Sequence, residues 1–250
     1  IYHDPETRKN SISFRGNLHR LANEFIENGE FEKANEIMDL SFEKMPIEFF
    51  EYYSLSEPYI LSYHKTGENI KARNLYKKIE EKYLDQIKYY SISMKESEDI
   101  FYVSEFAENI FTYTERYRGL IENQISLGNY DFIRPSIKSF INYTEVFKSI
   151  YGEYDYYMFL VSFIEPLYLS SENNLARKLY ENISDQIVSR LETIISAKDE
   201  SNFTYLSDLF NKELESAESL VDIISLYEKE DYFAKESNKF EDFLSEFIIK

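Results

Sequence analysis

The chain has 250 residues, of which 43% are hydrophobic and 30% are charged, and this composition is globular rather than disordered. Its formal net charge of −18 disfavours binding to nucleic acid and to anionic membrane surfaces. The absence of cysteine excludes disulfides, thiolate metal sites and cysteine nucleophiles. The 6 glycines and 5 prolines are few, and the 23 tyrosines suit helix interfaces, where the ring is buried and the hydroxyl reaches the rim.

The chain contains no apolar segment that approaches the roughly 18 residues of a transmembrane helix. The most apolar segment begins at Tyr156 and is short, which is typical of a buried core. The chain begins at Ile1 without a methionine, and its first ten residues resemble the middle of a longer sequence. We therefore expect a fragment of a larger protein, one that does not itself insert into a membrane.

The first fifty residues predict a pair of amphipathic helices, over 12–28 and 31–45, joined at Gly29. Their apolar residues recur at the spacing of the tetratricopeptide template: Leu18, Leu21, Ala22 and Phe25, then Phe31, Ala34, Met38 and Ser41, with Pro46 at the end. Small residues at Ala22 and Ala34 would let the two helices approach closely. Gly29 would accommodate the left-handed conformation that ends the first helix.

A phrase of eight residues occurs twice, as "ARNLYKKI" from Ala72 and "ARKLYENI" from Ala176, 104 residues apart. Each copy predicts an apolar stripe on one helix face: Ala72, Leu75, Tyr76, Ile79 and Tyr83 in the first, and Ala176, Leu179, Tyr180, Ile183 and Ile187 in the second. Upstream, "SLSEPYILS" from Ser54 matches "SFIEPLYLS" from Ser162. In the first of these, Ser54 and Glu57 have the spacing of a capping box.

These matches predict a duplication, in which 51–150 is repeated as 151–250 after a first helix pair with its lead-in at 1–50. The predicted fold class is all-α, with antiparallel helix pairs stacked as one continuous tetratricopeptide-like superhelix, or solenoid, of about ten helices. A globular helix bundle is the alternative. The predicted helices are 12–28, 31–45, 54–66, 68–91, 98–127, 130–150, 154–170, 173–197, 201–227 and 230–248.

The amino-terminal part carries a family resemblance, in "RLANEFIENGEFEKANEIMD", "FEKMP", "EYYSL", "EPYI" and "TERYRGL". These segments resemble the carboxy-terminal soluble region of a bacterial multi-pass membrane family of unknown function, itself similar to protein O-mannosyltransferases. The resemblance covers about residues 1–150. It implies that glycosyl transfer belongs to a membrane portion outside this chain, and that the helical region is a periplasmic accessory module.

The sequence contains no pattern that indicates catalysis or a cofactor. The three histidines, His3, His19 and His64, lack the spacing of metal ligands, and neither a phosphate-binding loop nor a nucleophile elbow is present. Carboxylates are so abundant that some pair would lie at the separation used by glycosidases by chance. We therefore predict no catalytic, metal-binding or cofactor-binding residue.

The first helix of each tetratricopeptide pair lines the concave face, and this predicts contact with a partner. The residues at the corresponding positions are His19, Asn23, Glu57, His64, Arg118 and Glu122. Aromatic clusters such as "EFFEYY" from Glu48 and "EYDYYMF" from Glu153 could stack on sugar rings, or could simply form the core between helices.

Three functions follow as hypotheses. The first is a non-catalytic module that binds polypeptide, or positions acceptors, for a membrane glycosyltransferase-like portion of the same protein. The second is a free-standing enzyme that acts on glycans through paired carboxylates. The third is a structural spacer or dimerisation module.

Overall fold

The computed structural model describes residues 5–197 and 203–249, without the side chains of 5–8, 203, 244–245 and 248–249. The regular structure in these residues is helical and includes no strand, so the all-α prediction is confirmed. The chain divides into two compact units, Ile1–Ser126 and Leu127–Lys250. The predicted segments 1–50, 51–150 and 151–250 concern a duplication of sequence, and this duplication stays a prediction.

The first unit contains α1 (Pro5–Glu27), α2 (Phe31–Lys44), α3 (Ile47–Phe50), α4 (Glu57–Lys65), α5 (Asn69–Glu96) and α6 (Ile100–Ile125), with a 3-10 turn at Tyr53–Leu55. The second contains α7 (Tyr130–Tyr143), α8 (Val146–Tyr151), α9 (Glu153–Phe159), α10 (Ile164–Leu169), α11 (Asn173–Ala197), α12 (Phe203–Ser225) and α13 (Glu230–Ile249), with a 3-10 turn at Val161–Phe163. The predicted helices 130–150 and 154–170 are each divided into shorter ones. His3 and the predicted helix start at 201 lie outside the described residues.

The two repeated stripes form the core of their units, as predicted. Every member of both stripes is at most 7% exposed. In the first helix pair Ala22 and Ala34 are fully buried, but Leu21 is 38% exposed and Phe31 is 45% exposed. Because α1 packs against α2 and α4, the face that carries Ala22 is covered and Leu21 lies at its edge.

Three helix hairpins share one turn geometry, in which a residue with left-handed backbone ends the first helix. These residues are Gly29, Gly67 and Ser171, with φ of 75°, 83° and 64°. In each turn the next amide donates to the carbonyl five residues earlier at 2.8 Å, which is the Schellman motif. A fully buried alanine follows five residues after the turn residue, at Ala34, Ala72 and Ala176. The left-handed conformation predicted at Gly29 is thus confirmed.

Tyrosine hydroxyls join neighbouring helices by donating hydrogen bonds to carboxylates. The carboxylates of Glu80, Glu213 and Glu236 are buried, and each accepts a bond from a tyrosine of another helix. The pairs are Tyr63–Asp39, Tyr83–Glu57, Tyr117–Glu80, Tyr154–Glu213, Tyr168–Glu228, Tyr180–Glu236, Tyr227–Glu165 and Tyr232–Glu181. A buried carboxylate needs such partners, and these pairs connect the richness in tyrosine with the acidity of the chain.

The capping box predicted at Ser54 is wrong. Ser54 lies in the 3-10 turn, α4 begins at Glu57, and the preceding Ser56 makes no side-chain capping bond. Glu57 instead accepts a hydrogen bond from the hydroxyl of Tyr83 on α5. Glu165, its counterpart in the second unit, also accepts from a tyrosine. Each of the two acids before proline therefore accepts a hydrogen bond from a distant tyrosine, and the capping role predicted for Glu57 does not occur.

Candidate functional site

A cavity of the first unit lies between the segment after α3 and the α5–α6 hairpin. Its volume is about 440 Å³, within the range of small-molecule and side-chain binding sites. We call it the tyrosine pocket, and it is lined by Phe50, Glu51, Tyr52, Tyr53, Ser54, Lys82, Tyr83, Gln86, Tyr113 and Arg116.

Two successive residues with strained backbone form one wall of the tyrosine pocket. Glu51 has φ 56° and ψ −135°, and Tyr52 has φ 50° and ψ 50°, although neither is glycine. Such conformations carry a strain of about 1–3 kcal/mol per residue and persist only where the surrounding packing fixes them. They are found preferentially at sites that bind ligands, which makes this wall a candidate for function.

The pocket opens onto a series of aromatic rings along the α5–α6 hairpin. We call this series the aromatic ladder, and it consists of Tyr83, Tyr113, Tyr90, Phe106, Tyr102 and Phe101 in that order. Successive ring centroids are 5.9–6.3 Å apart. Tyr83 is buried beside the pocket, whereas Phe101 is 72% exposed near the turn of the hairpin. The ladder therefore leads from the pocket to the hairpin end.

Two cations lie against the aromatic walls of the pocket. The ammonium of Lys82 is 5.6 Å from the centroid of the Tyr53 ring, and the guanidinium of Arg116 is 5.5 Å from that of Tyr113. Both separations allow cation–π attraction. The pocket thus offers positive charge, ring faces, and the polar groups of the neighbouring Ser54 and Gln86.

Glu57 lies outside the pocket lining but is bonded to it through the hydroxyl of Tyr83. Burial raises the pKa of Glu57, while the bond from Tyr83 and the charge of Arg116 act in the opposite direction. Burial likewise raises the pKa of the Tyr53 phenol, with nearby carboxylates contributing. The hydroxyls of Tyr53 and Tyr83, whose pKa values are both raised by burial, are therefore neutral hydrogen-bond donors at physiological pH.

His19 and Asn23 of the predicted concave face come together with Ser62 of α4. His19 Nε2 lies 3.1 Å from Ser62 Oγ and 3.5 Å from Asn23 Nδ2, and the Ser62 hydroxyl donates to Asn23 Oδ1 at 3.1 Å. Burial lowers the pKa of His19, so the ring is neutral at physiological pH. Ser62 is only 3% exposed, which leaves no access for a substrate to its hydroxyl. This cluster joins α1 to α4.

The other predicted contact residues have partners of their own. His64 Nδ1 lies 2.7 Å from Asn69 Oδ1, and its Nε2 lies 3.2 Å from Gln124 Oε1 on α6. Arg118 bonds along α6 to Glu115 at 3.0 Å and lies 3.6 Å from Glu122. The structure thus pairs His19 with Asn23 and Arg118 with Glu122, and it places Glu57 and His64 in networks of their own.

The pocket residues other than the "EFFEYY" cluster were missed by the sequence analysis. Lys82, Gln86, Tyr113 and Arg116 lie outside the predicted contact face and have no motif spacing. The only sequence signal for this pocket was the "EFFEYY" cluster from Glu48, which supplies Phe50, Tyr52 and Tyr53 to its lining. The α5–α6 hairpin brings Lys82 and Gln86 beside Tyr113 and Arg116, and contact of the 3-10 turn with α5 adds the aromatic cluster.

Relatives, metal-binding clusters and membrane-spanning helices are three further indicators of function. No family model, curated protein or solved structure matches the chain. Within 5–197 and 203–249, histidine, aspartate and glutamate side chains form no cluster of three or more that could hold a metal ion. Over the same ranges, no helix combines the length and the apolar character needed to cross a bilayer.

Proposed function

We propose that this chain is a non-catalytic helical module that binds polypeptide, with the tyrosine pocket and the aromatic ladder as its binding surface. The observation that carries the proposal is the continuity of the two. The ladder spans Phe101 to Tyr113 on α6, twelve residues or about 18 Å of helix. An extended chain of about five residues has this length, so the surface suits a linear peptide anchored in the pocket.

The end of the α5–α6 hairpin supports a role in binding, because its apolar side chains are not covered. None of the residues from 88 to 109 is buried. Ile100 is 85% exposed and Tyr102 is 51% exposed, beside Phe101 on the ladder. Large apolar groups exposed together are typical of surfaces that a partner covers.

We also propose that the module is periplasmic and accessory to a membrane glycosyltransferase-like portion of a larger protein. The support is the resemblance of residues 1–150 to such a family. Sequencing the parent gene upstream of Ile1 tests this proposal. We expect several apolar segments of about 20 residues, and removal of the helical region should then lower glycosyl transfer. An upstream region with no apolar segment of this kind would contradict it.

Binding of the 250-residue chain to an array of twelve-residue peptides tests the polypeptide-binding role. A double variant, Phe101→Ser with Tyr102→Ser, should weaken binding because it removes the outer part of the ladder. Phe14→Ser is the matched control, since Phe14 is 62% exposed on α1, away from the ladder. Equal binding by the wild type and the ladder variant would contradict the proposal. Hydrolysis of a glycan by the purified chain would also contradict it.

A further inference from the structure

Cations that lie over aromatic rings in this protein usually hold a carboxylate as well. Arg190 lies 5.2 Å from the ring centroid of Tyr154 and 3.9 Å from a carboxylate oxygen of Glu213. Lys71 lies 5.8 Å from the centroid of Tyr63 and 2.7 Å from Asp39. The same combination of ring and carboxylate occurs at Lys33, Lys77, Lys148, Arg177 and Lys239.

Lys82 and Arg116 depart from this pattern, and both line the tyrosine pocket. Among the residues that the structure describes, neither has a carboxylate oxygen within 4.0 Å. Arg15, another cation over a ring, is 1% exposed and donates to the carbonyl of Met45, so it has a structural role instead. Lys82 and Arg116 thus lack the carboxylate that the other ring-bound cations named here, apart from Arg15, hold, and both line the same pocket.

Glu48, Glu51 and Glu57 are the acids nearest the pocket, and among the described residues none of them has a carboxylate oxygen within 4.0 Å of either cation. Glu48 is bonded to Lys78 at 2.6 Å, and Glu57 accepts from Tyr83. Arg116 influences Glu57 electrostatically but makes no ion pair with it. In a chain of net charge −18, two cations without an ion pair in one pocket indicate that an anion completes the arrangement.

We propose that the tyrosine pocket binds a carboxylate of the polypeptide, with Lys82 and Arg116 as its two counter-charges. Apart from Arg15, the other ring-bound cations named above pair with a carboxylate of this chain. The carboxylate of the polypeptide takes the same place beside Lys82 and Arg116. The rings of Tyr52 and Tyr53 pack against the carbon atoms next to it. The carboxylate comes from an aspartate or glutamate side chain or from the carboxyl terminus, and the two sources share this chemistry. This inference rests on the proposed polypeptide-binding function.

Three fluorescein-labelled decapeptides of otherwise identical, phenylalanine-containing sequence test the proposal by fluorescence anisotropy with the full chain. The first has a central glutamate and an amidated end, the second a central glutamine and a free carboxyl terminus, and the third a central glutamine and an amidated end. We expect the first or the second to bind about tenfold to a hundredfold more tightly than the third. Whichever binds more tightly identifies the source of the carboxylate.

Lys82→Gln and Arg116→Gln should each abolish most of this preference, so that the three peptides bind the variant with similar affinity. Lys65→Gln is the control of equal charge, because Lys65 is exposed on α4, outside both the pocket and the hairpin end. Thermal melts followed by circular dichroism verify that the variants remain folded.

Each outcome separates the two proposals. Equal binding of all three peptides overturns the carboxylate site but leaves polypeptide binding intact. A preference for carboxylate that survives both pocket variants also overturns the site. If no peptide binds here or on the array, the proposed function itself fails. Binding of free glucuronate without binding of any peptide would replace polypeptide by an acidic sugar and overturn the inference.

Discussion

The hydroxyl of Tyr154 on α9 donates to both carboxylate oxygens of Glu213 on α12, at 2.7 Å each. Glu213 is 4% exposed, and Arg190 approaches it to 3.9 Å. A carboxylate so deeply buried is stable only with such partners, because burial of an unpaired charge is strongly unfavourable. The pair therefore joins α9 to α12 through two residues that are 59 positions apart in the chain.

Tyr154→Phe should destabilise the protein, since it leaves the buried carboxylate of Glu213 without its phenol donor. We expect the free energy of unfolding to fall by about 1.5–3 kcal/mol, the usual value for a hydrogen bond to a charged group. Urea unfolding followed by circular dichroism measures this change. Tyr205→Phe is the control, because Tyr205 is 67% exposed and its substitution should change stability by less than about 0.5 kcal/mol. Equal stability of the two variants would contradict the role of the bond.

Ser171→Gly should stabilise the protein. Ser171 has φ 64°, and the same turn carries glycine at Gly29 and Gly67. Relief of the left-handed strain exceeds the added entropy of the unfolded chain, for a net gain of about 0.5–1 kcal/mol. Gly67→Ala is the reciprocal variant: its Cβ would meet no atom within 4 Å, so only backbone strain acts, and a loss of about 1–2 kcal/mol is expected. Calorimetric melting temperatures that shift in the opposite sense would contradict this interpretation.

Glu228 should make stability depend on pH in the acid range. Arg177 and the hydroxyl of Tyr168 both bond to this carboxylate and lower its pKa, with Arg177 the larger cause. A folded-state pKa below the unfolded value, which is about 4.3, contributes stability above that value. This contribution is lost as the pH falls through the lowered pKa. Glu228→Gln should therefore be destabilising at pH 7 and nearly neutral at pH 2. A loss independent of pH would show that the ion pair does not act this way.

Glu57 should have the opposite dependence, because burial raises its pKa. A raised folded-state pKa contributes stability that is fully present below the unfolded value of about 4.3 and is lost as the pH rises through the folded value. The stability of Glu57→Gln relative to wild type should thus increase with pH, while that of Glu228→Gln decreases. Urea unfolding of both variants, at about five pH values between pH 3 and pH 7, measures how the stability of each variant changes with pH. Parallel trends would contradict the assigned directions.

Local periodicity predicted the central stripes of the core but little of the candidate site. The stripes from Ala72 and Ala176 follow from helical spacing, and the structure buries every member. The position of a helix end depends on competition between interactions a few residues apart, and residue spacing does not show which of them prevails. The spacing of Ser54 therefore predicted a cap, although Ser54 lies in a 3-10 turn. The exposure of Leu21 depends on which helices pack against α1, and sequence spacing does not encode this.

The tyrosine pocket was not predictable because its residues are brought together by tertiary packing. Tyr53 and Arg116 are more than sixty positions apart, and nothing local marks Glu51 and Tyr52 as left-handed residues. The pairing of phenols with carboxylates was not predictable for the same reason, because tertiary packing brings the two partners together. Composition indicated that tyrosines would occupy interfaces, but the acids that receive their hydroxyls were not predicted.

The most direct measurement is nuclear magnetic resonance of the full chain with ring-labelled tyrosine, titrated with a peptide selected from the array. If the module binds polypeptide as proposed, signals of Tyr52, Tyr53 and Tyr113 should shift first, and that of Tyr102 should follow along the ladder. Tyr205, exposed in the second unit, should not respond. Unchanged pocket signals, or shifts confined to Tyr59 beside His19, would contradict the pocket as the binding site.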